Sequence, residues 1–160
     1  MFAELGYWYA IRDGDLRGRR MYDRHYSSHT YQDGRRPALF AGPGEKMVLM
    51  TSDSRALFVW RKFKDASGQH GINCAIFRNE APELYLSSDL IREAVQLAWR
   101  RWPGSRFYTY VNPRKVRSTN PGYCFKAAGW RECGVTVSRK LIILEYDPLR
   151  WSLMAQGAGL

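Results

Sequence analysis

The sequence contains no uninterrupted apolar run near the roughly 18 to 20 residues that a bilayer-spanning helix needs. Residues 1–10 also lack the basic-then-apolar layout of a secretory signal. A soluble, cytoplasmic protein without membrane contact is therefore expected. Cysteine is scarce: Cys74, Cys124 and Cys133 are odd in number, far apart and without a C-x-x-C spacing. Neither a disulfide framework nor a zinc site is indicated, and buried or half-buried thiols are expected instead. Internal repeats, low-complexity tracts and long linkers are missing too. With 160 residues, the chain reads as one domain over residues 1–150 followed by a flexible tail, 151–160. Acidic residues are few, 15 Asp and Glu against 25 Lys and Arg, leaving a formal charge of +10 and a pI near 9.8. A field of that sign attracts polyanions and weakens with salt, so nucleic acid or a phosphate-bearing cofactor is the natural partner. The oligomeric state is left open, a dimer included.

The cations are not spread evenly. From Ile91 to Ser118 there are seven Arg or Lys and a single acid, Glu93, interleaved with Trp99, Trp102, Tyr108 and Tyr110. Cations mixed with aromatics suit a phosphate backbone with bases to stack on.

Along the chain, residues 6–10 read as a first strand and residues 12–36 as a polar segment holding a helix around Met21–Tyr26. Two β-rich runs, Lys46–Thr51 and Ala56–Phe63, are joined by Ser52-Asp53-Ser54-Arg55, the pattern of a hairpin. Ile72–Arg78 is another strand. A helix begins at the cap cluster Ser87-Ser88-Asp89 and runs to Trp102, where Pro103-Gly104 ends it. Ile91, Ala94, Val95, Ala98, Trp99 and Trp102 form its single apolar stripe. The stretch Arg106–Trp130 then joins a strand, Phe107–Val111, to a basic loop and a short helix. Asn120 suits the N-cap, Pro121 the first helical position and Gly129 the position past the last turn, so that helix is expected over 121–128. Strands over 132–137 and 141–146 close the chain.

This order of parts resembles the GNAT acyltransferase fold, an α/β (α+β) domain. Its mixed, mainly antiparallel twisted sheet carries helices on both faces and splits near its middle. Within it, Tyr110-Val111-Asn112-Pro113 and Phe125-Lys126-Ala127-Ala128-Gly129-Trp130 resemble motifs of the phage Mom family of DNA-modification proteins, which act on adenine. Phe77-Arg78, Pro82 and Ser87-Ser88 are similar to a further part of that pattern. The likeness covers residues 72–147. It implies a transferase that moves a small acyl or carbamoylmethyl-type group to the exocyclic amine of adenine in DNA, in an anti-restriction role of phage origin. Two alternatives stand beside it: an acetyl-CoA-dependent N-acetyltransferase acting on a small amine, tRNA or protein, and a non-catalytic nucleic-acid-binding module.

The resemblance implies His25 and Tyr26 as a metal-associated catalytic pair with iron as the metal, His29 lying four residues on. It also implies Ser88 and Asn112 in catalysis, although the family has Asp where Asn112 stands. Arg78, Ser87 and Asp89 would bind the donor, while Arg114, Lys115 and Arg117 would hold the nucleic-acid backbone. Tyr108 or Tyr110 would stack the base, the strand face that these two tyrosines share being either core or a stacking wall. Acetyl-CoA itself is a doubtful donor. The loop from Asn79 to Ser88 has no glycine and two acids, Glu80 and Glu83, so it cannot form the amide nest a pyrophosphate needs. The tyrosine expected four residues before Gly129 is Phe125, and Tyr123 would project elsewhere.

Overall fold

The computed structural model describes residues 3–116 and 119–152. Eight strands form one sheet in the order β1-β2-β3-β4-β5-β6-β8-β7. In chain order the elements are β1 (Ala3–Leu5), β2 (Trp8–Ile11), α1 (Leu16–Arg24), β3 (Glu45–Thr51), β4 (Ala56–Lys62) and β5 (Ile72–Asn79). They continue with α2 (Ser87–Arg101), β6 (Phe107–Val111), α3 (Tyr123–Ala127), β7 (Arg131–Val135) and β8 (Ile142–Tyr146). All neighbouring pairs are antiparallel except β5 with β6. That parallel pair requires a crossover, which α2 supplies.

Alternation along β4 assigns the two faces. Phe58 and Trp60 point to the side covered by α2, where they pack with Trp8, Ile91, Ala94, Ala98, Phe107 and Trp130. Leu57 and Val59 point the other way, under Met21 and Tyr22 of α1 and under Phe40 and Ala41. Two indoles fasten α2 to the sheet: Trp8 Nε1 donates to the Leu90 carbonyl (2.8 Å) and Trp60 Nε1 to that of Ala94 (3.0 Å). The expected apolar stripe is buried on this face, with Trp102 inside; Trp99 is only half-buried, tilted against Phe107.

Several local expectations are corrected. The first strand is a hairpin, β1 and β2, turned at Gly6-Tyr7. The α2 cap is Leu86, with no side-chain capping bond, because the Ser87 hydroxyl instead takes a hydrogen bond from Asn79 Nδ2 (3.0 Å). The short helix starts later than expected: Gly122, at φ 77°, stands at its N-cap. The Asn120 carbonyl accepts a turn bond from the Tyr123 amide, and its side-chain oxygen accepts one from Lys126 Nζ. The helix of the 12–36 segment ends at Arg24, so His25 and Tyr26 lie beyond it and His29 is not on a common helical face with His25. In the expected tail, Trp151 packs edge-on against Tyr146 and under Arg131; residues 153–160 lie outside the described residues.

Candidate active site at the split of the sheet

The parallel pairing of β5 with β6 is brief: Ile72, Asn73 and Cys74 face Phe107, Tyr108 and Thr109, and the strands then part. The cause is local. Between Val59 and Trp60 the β4–β5 register slips, so Ala75 is an extra residue on β5, and such a bulge bends the strand that carries it. Beyond it β5 follows β4 while β6 follows β8. The last tie across the gap is the Thr109 hydroxyl donating to the Cys74 carbonyl (2.9 Å).

Two connected hollows occupy this opening and share Tyr26, Cys74, Ala75 and Tyr110. The larger, about 360 Å³, faces the α1 side, with Arg61, Phe63, Asp65, Asn112, Lys115 and Arg139 on its walls. That is large enough for a nucleotide-sized group. The smaller, about 160 Å³, reaches toward α3 between His25, Phe77, Val111 and Phe125.

His25 and Tyr26 plug the split. Their rings stack at 4.5 Å and 29°. His25 Nδ1 accepts from the Ser27 amide (3.2 Å) and meets the Ser27 hydroxyl at 2.7 Å, which leaves the proton of the neutral ring on Nε2, where the Phe77 backbone lies. Burial, with Arg78 nearby, depresses its pKa to about 4. Burial raises the pKa of Tyr26, opposed by the Asn112 backbone beside its hydroxyl. Tyr26 is thus a neutral hydrogen-bond donor at the junction of the two hollows.

One carboxylate lines the larger hollow. Asp65 Oδ2 accepts from both Tyr108 (2.7 Å) and Tyr110 (2.8 Å), and Oδ1 from the Ser67 amide (2.8 Å). Burial pushes Asp65 up, but these donors outweigh it and hold its pKa below the ordinary value. Tyr110 is pushed up to about 12, chiefly by burial, and burial together with Asp65 raises Tyr108 still further. The loop carrying Asp65 is itself tied down. Arg106 meets Glu145 at 3.0 Å, both being 7% exposed, and donates to the His70 carbonyl and Gln69 Oε1.

The sequence-derived candidates divide accordingly. Tyr110, Tyr26, Asn112 and Lys115 line the larger hollow, and His25 lines the smaller. Asn112 is bound to its turn, its Oδ1 accepting from the Arg114 amide (3.1 Å). Arg114 is exposed and donates to the Arg139 carbonyl, which fastens the basic loop to the β7–β8 turn. Arg117 lies outside the described residues. Tyr108 is no stacking platform: it is 0% exposed, because its place on β6 puts it beneath the Asp65 loop.

The donor-binding group is not assembled either. Arg78 donates to Glu80 (2.6 Å) and to the Arg24 carbonyl. Glu80 also binds Arg24 in bidentate fashion, and these guanidinium contacts lower its pKa to about 2. Asp89 pairs with Arg92 on the outer side of α2, while Ser87 and Ser88 border neither hollow.

Iron does not fit His25 and Tyr26. Nδ1 is occupied by Ser27, Nε2 faces a backbone carbonyl, and among the described residues no three His, Cys, Asp or Glu side chains converge to hold a metal. The three thiols offer no activated nucleophile, since burial raises the pKa of each. Two cations on the wall, Arg61 and Arg139, were missed by sequence reasoning. Alternation with Leu57 and Val59 could have placed Arg61 on this face; Arg139 stood in what read as a plain turn.

A mixed sheet opening between two parallel strands, crossed by one helix and flanked by another, defines the GNAT-like acyltransferase fold. The chain is similar to the crystal structure of an acyl-CoA N-acyltransferase from Pseudomonas aeruginosa, with a TM-score of 0.54 over 86% of this chain and 95% of that one, at 16% identity. At that identity the likeness is one of fold. No protein-family model and no curated protein matches the chain by sequence. Among the described residues no helix is long and apolar enough to cross a membrane.

Proposed function

We propose that the protein is a GNAT-like transferase that places a small acyl or carbamoylmethyl-type group on an exocyclic amine of a nucleobase, adenine in DNA being the favoured acceptor. The observation that carries this reading is the hollow at the β5–β6 split, which joins an aromatic wall of Tyr26, Phe63 and Tyr110 to a rim of Arg61, Lys115 and Arg139. Aromatic faces suit a base and the cations suit its phosphates. A base in duplex DNA would have to be flipped out to enter, at a few kcal/mol.

In this reading the amine nitrogen attacks the electrophilic carbon of the donor. The new C–N bond forms as the bond to the leaving group breaks. Tyr26 hands its proton to the departing group, and the amine proton passes through Tyr110 to Asp65, the carboxylate within hydrogen-bond reach. Against CoA as the donor stands the loop after β5, which has no glycine and whose Glu80 carboxylate already engages the guanidiniums of Arg24 on α1 and Arg78 on β5.

Mass spectrometry of nucleosides from cells expressing the protein tests the reading. A mass-shifted deoxyadenosine is expected, lost in Tyr26→Phe while the variant stays folded. Unmodified nucleosides, together with acetylation of simple amines and the ~2.7 kcal/mol stabilisation that acetyl-CoA would give at 100 times its Kd, would establish an ordinary N-acetyltransferase instead. Nucleic-acid binding with neither activity would leave a binding module.

A further inference from the structure

Arg61 is the cation of the site that is held in place although no anion answers its charge among the described residues. Among the described residues it makes no hydrogen bond and no ion pair, and its Nε is buried without a partner. Its place is nonetheless fixed. The guanidinium carbon sits 3.8 Å above the Phe63 ring centroid, and Gly42, at φ +85°, approaches the guanidinium so closely that a Cβ there would collide with Nη1. Burial depresses its pKa, with Asp65, Tyr108 and Tyr110 near enough to offset part of that effect but none within pairing distance. Asp65 itself is saturated by two phenols and an amide.

A clamped, half-buried guanidinium with unused donors, facing a hollow that also receives Lys115 and Arg139, is built for a planar or tetrahedral oxyanion. The aromatic wall beside it accepts a base. We infer that Arg61 binds the phosphate of the acceptor nucleotide and so orients the base in the hollow. This rests on the nucleobase reading above and adds to it the residue that recognises phosphate.

Two measurements on the full chain test it. In the first, binding of deoxyadenosine 5′-monophosphate is compared with that of deoxyadenosine. The nucleotide is expected to bind about tenfold or more tightly, as befits a charge-assisted hydrogen bond. Arg61→Met, which keeps the stem packed on Phe63, should bring that ratio close to one while leaving the nucleoside affinity unchanged, and Arg61→Lys should restore part of it. An unchanged ratio in Arg61→Met overturns the inference.

The second uses wild-type protein alone. Inorganic phosphate should shift the guanidinium N–H resonance of Arg61, whose Nη donors have no protein partner among the described residues. A shift without any binding of nucleoside or nucleotide would keep Arg61 as a phosphate site and remove the nucleobase reading. Nucleotide binding that leaves this resonance unmoved would do the reverse.

Discussion

Acid should weaken this fold through a single histidine. His25 is 9% exposed and its pKa is depressed from an ordinary 6.5 to about 4. Between those values the unfolded chain takes up a proton that the folded chain refuses. Stability is therefore fully present above pH 6.5 and drains away as the pH falls toward 4. At 1.36 kcal/mol for each tenfold step, the loss is about 3 kcal/mol, a large part of the 5 to 15 kcal/mol that holds an ordinary domain together. With a urea slope of about 2 kcal/mol per molar, the unfolding midpoint should drop by about 1.5 M over that interval. His25→Gln, which cannot titrate, should be less stable at neutral pH but should lose most of this dependence. The carboxylates do not confuse the comparison. Glu80, held at about 2, weakens the fold only as the pH falls below its ordinary 4.5, and Glu93, raised by burial, contributes the opposite slope, each equally in both proteins. Parallel midpoint-against-pH curves for wild type and variant would refute the assignment of His25 as a buried neutral plug.

The remaining expectations concern the frame and the rim. Glu145→Ala strands Arg106 in a nearly dry site and should cost about 3 to 5 kcal/mol in denaturant unfolding, whereas replacing both partners by apolar residues should be much milder. Gly71 precedes β5 at φ +110°, and a Cβ there would strike the Arg106 carbonyl that accepts the Ile72 amide, so Gly71→Ala should destabilise by more than about 1 kcal/mol and reduce soluble yield. If Lys115 and Arg139 contact phosphates, changing both to Gln should flatten the plot of log K against log salt by about two for DNA; an unchanged slope would place the DNA elsewhere.

Local pattern alone marked out the β3–β4 hairpin, β5, α2 and β6, because each carries its own periodicity and its own punctuation. Lys46–Thr51 and Ala56–Phe63 were legible as paired strands, and the stripe from Ile91 to Trp102 as a helix face, since burial of one side imposes a repeat on the residues themselves. The caps were misjudged where a side chain had a better partner than the helix end, as Ser87 has in Asn79. The site was only half legible. His25, Tyr26, Tyr110 and Lys115 could be named as chemistry-bearing residues, but nothing local indicates that a bulge at Ala75 opens the sheet and lets a segment some fifty residues earlier fill the gap. Tertiary structure alone decided that Tyr108 and Tyr110, identical in type and adjacent on one face, end as a buried strut and a cavity wall. Both bind Asp65, more than forty residues away, yet only Tyr110 reaches the opening. It also left Arg61 without an ion pair among the described residues while giving Arg78 to Glu80. The sequence alone determines which groups carry charge and which faces must be buried. Which charges are neutralised depends on distances between strands far apart in the chain, and these exist only once the sheet has closed around its split.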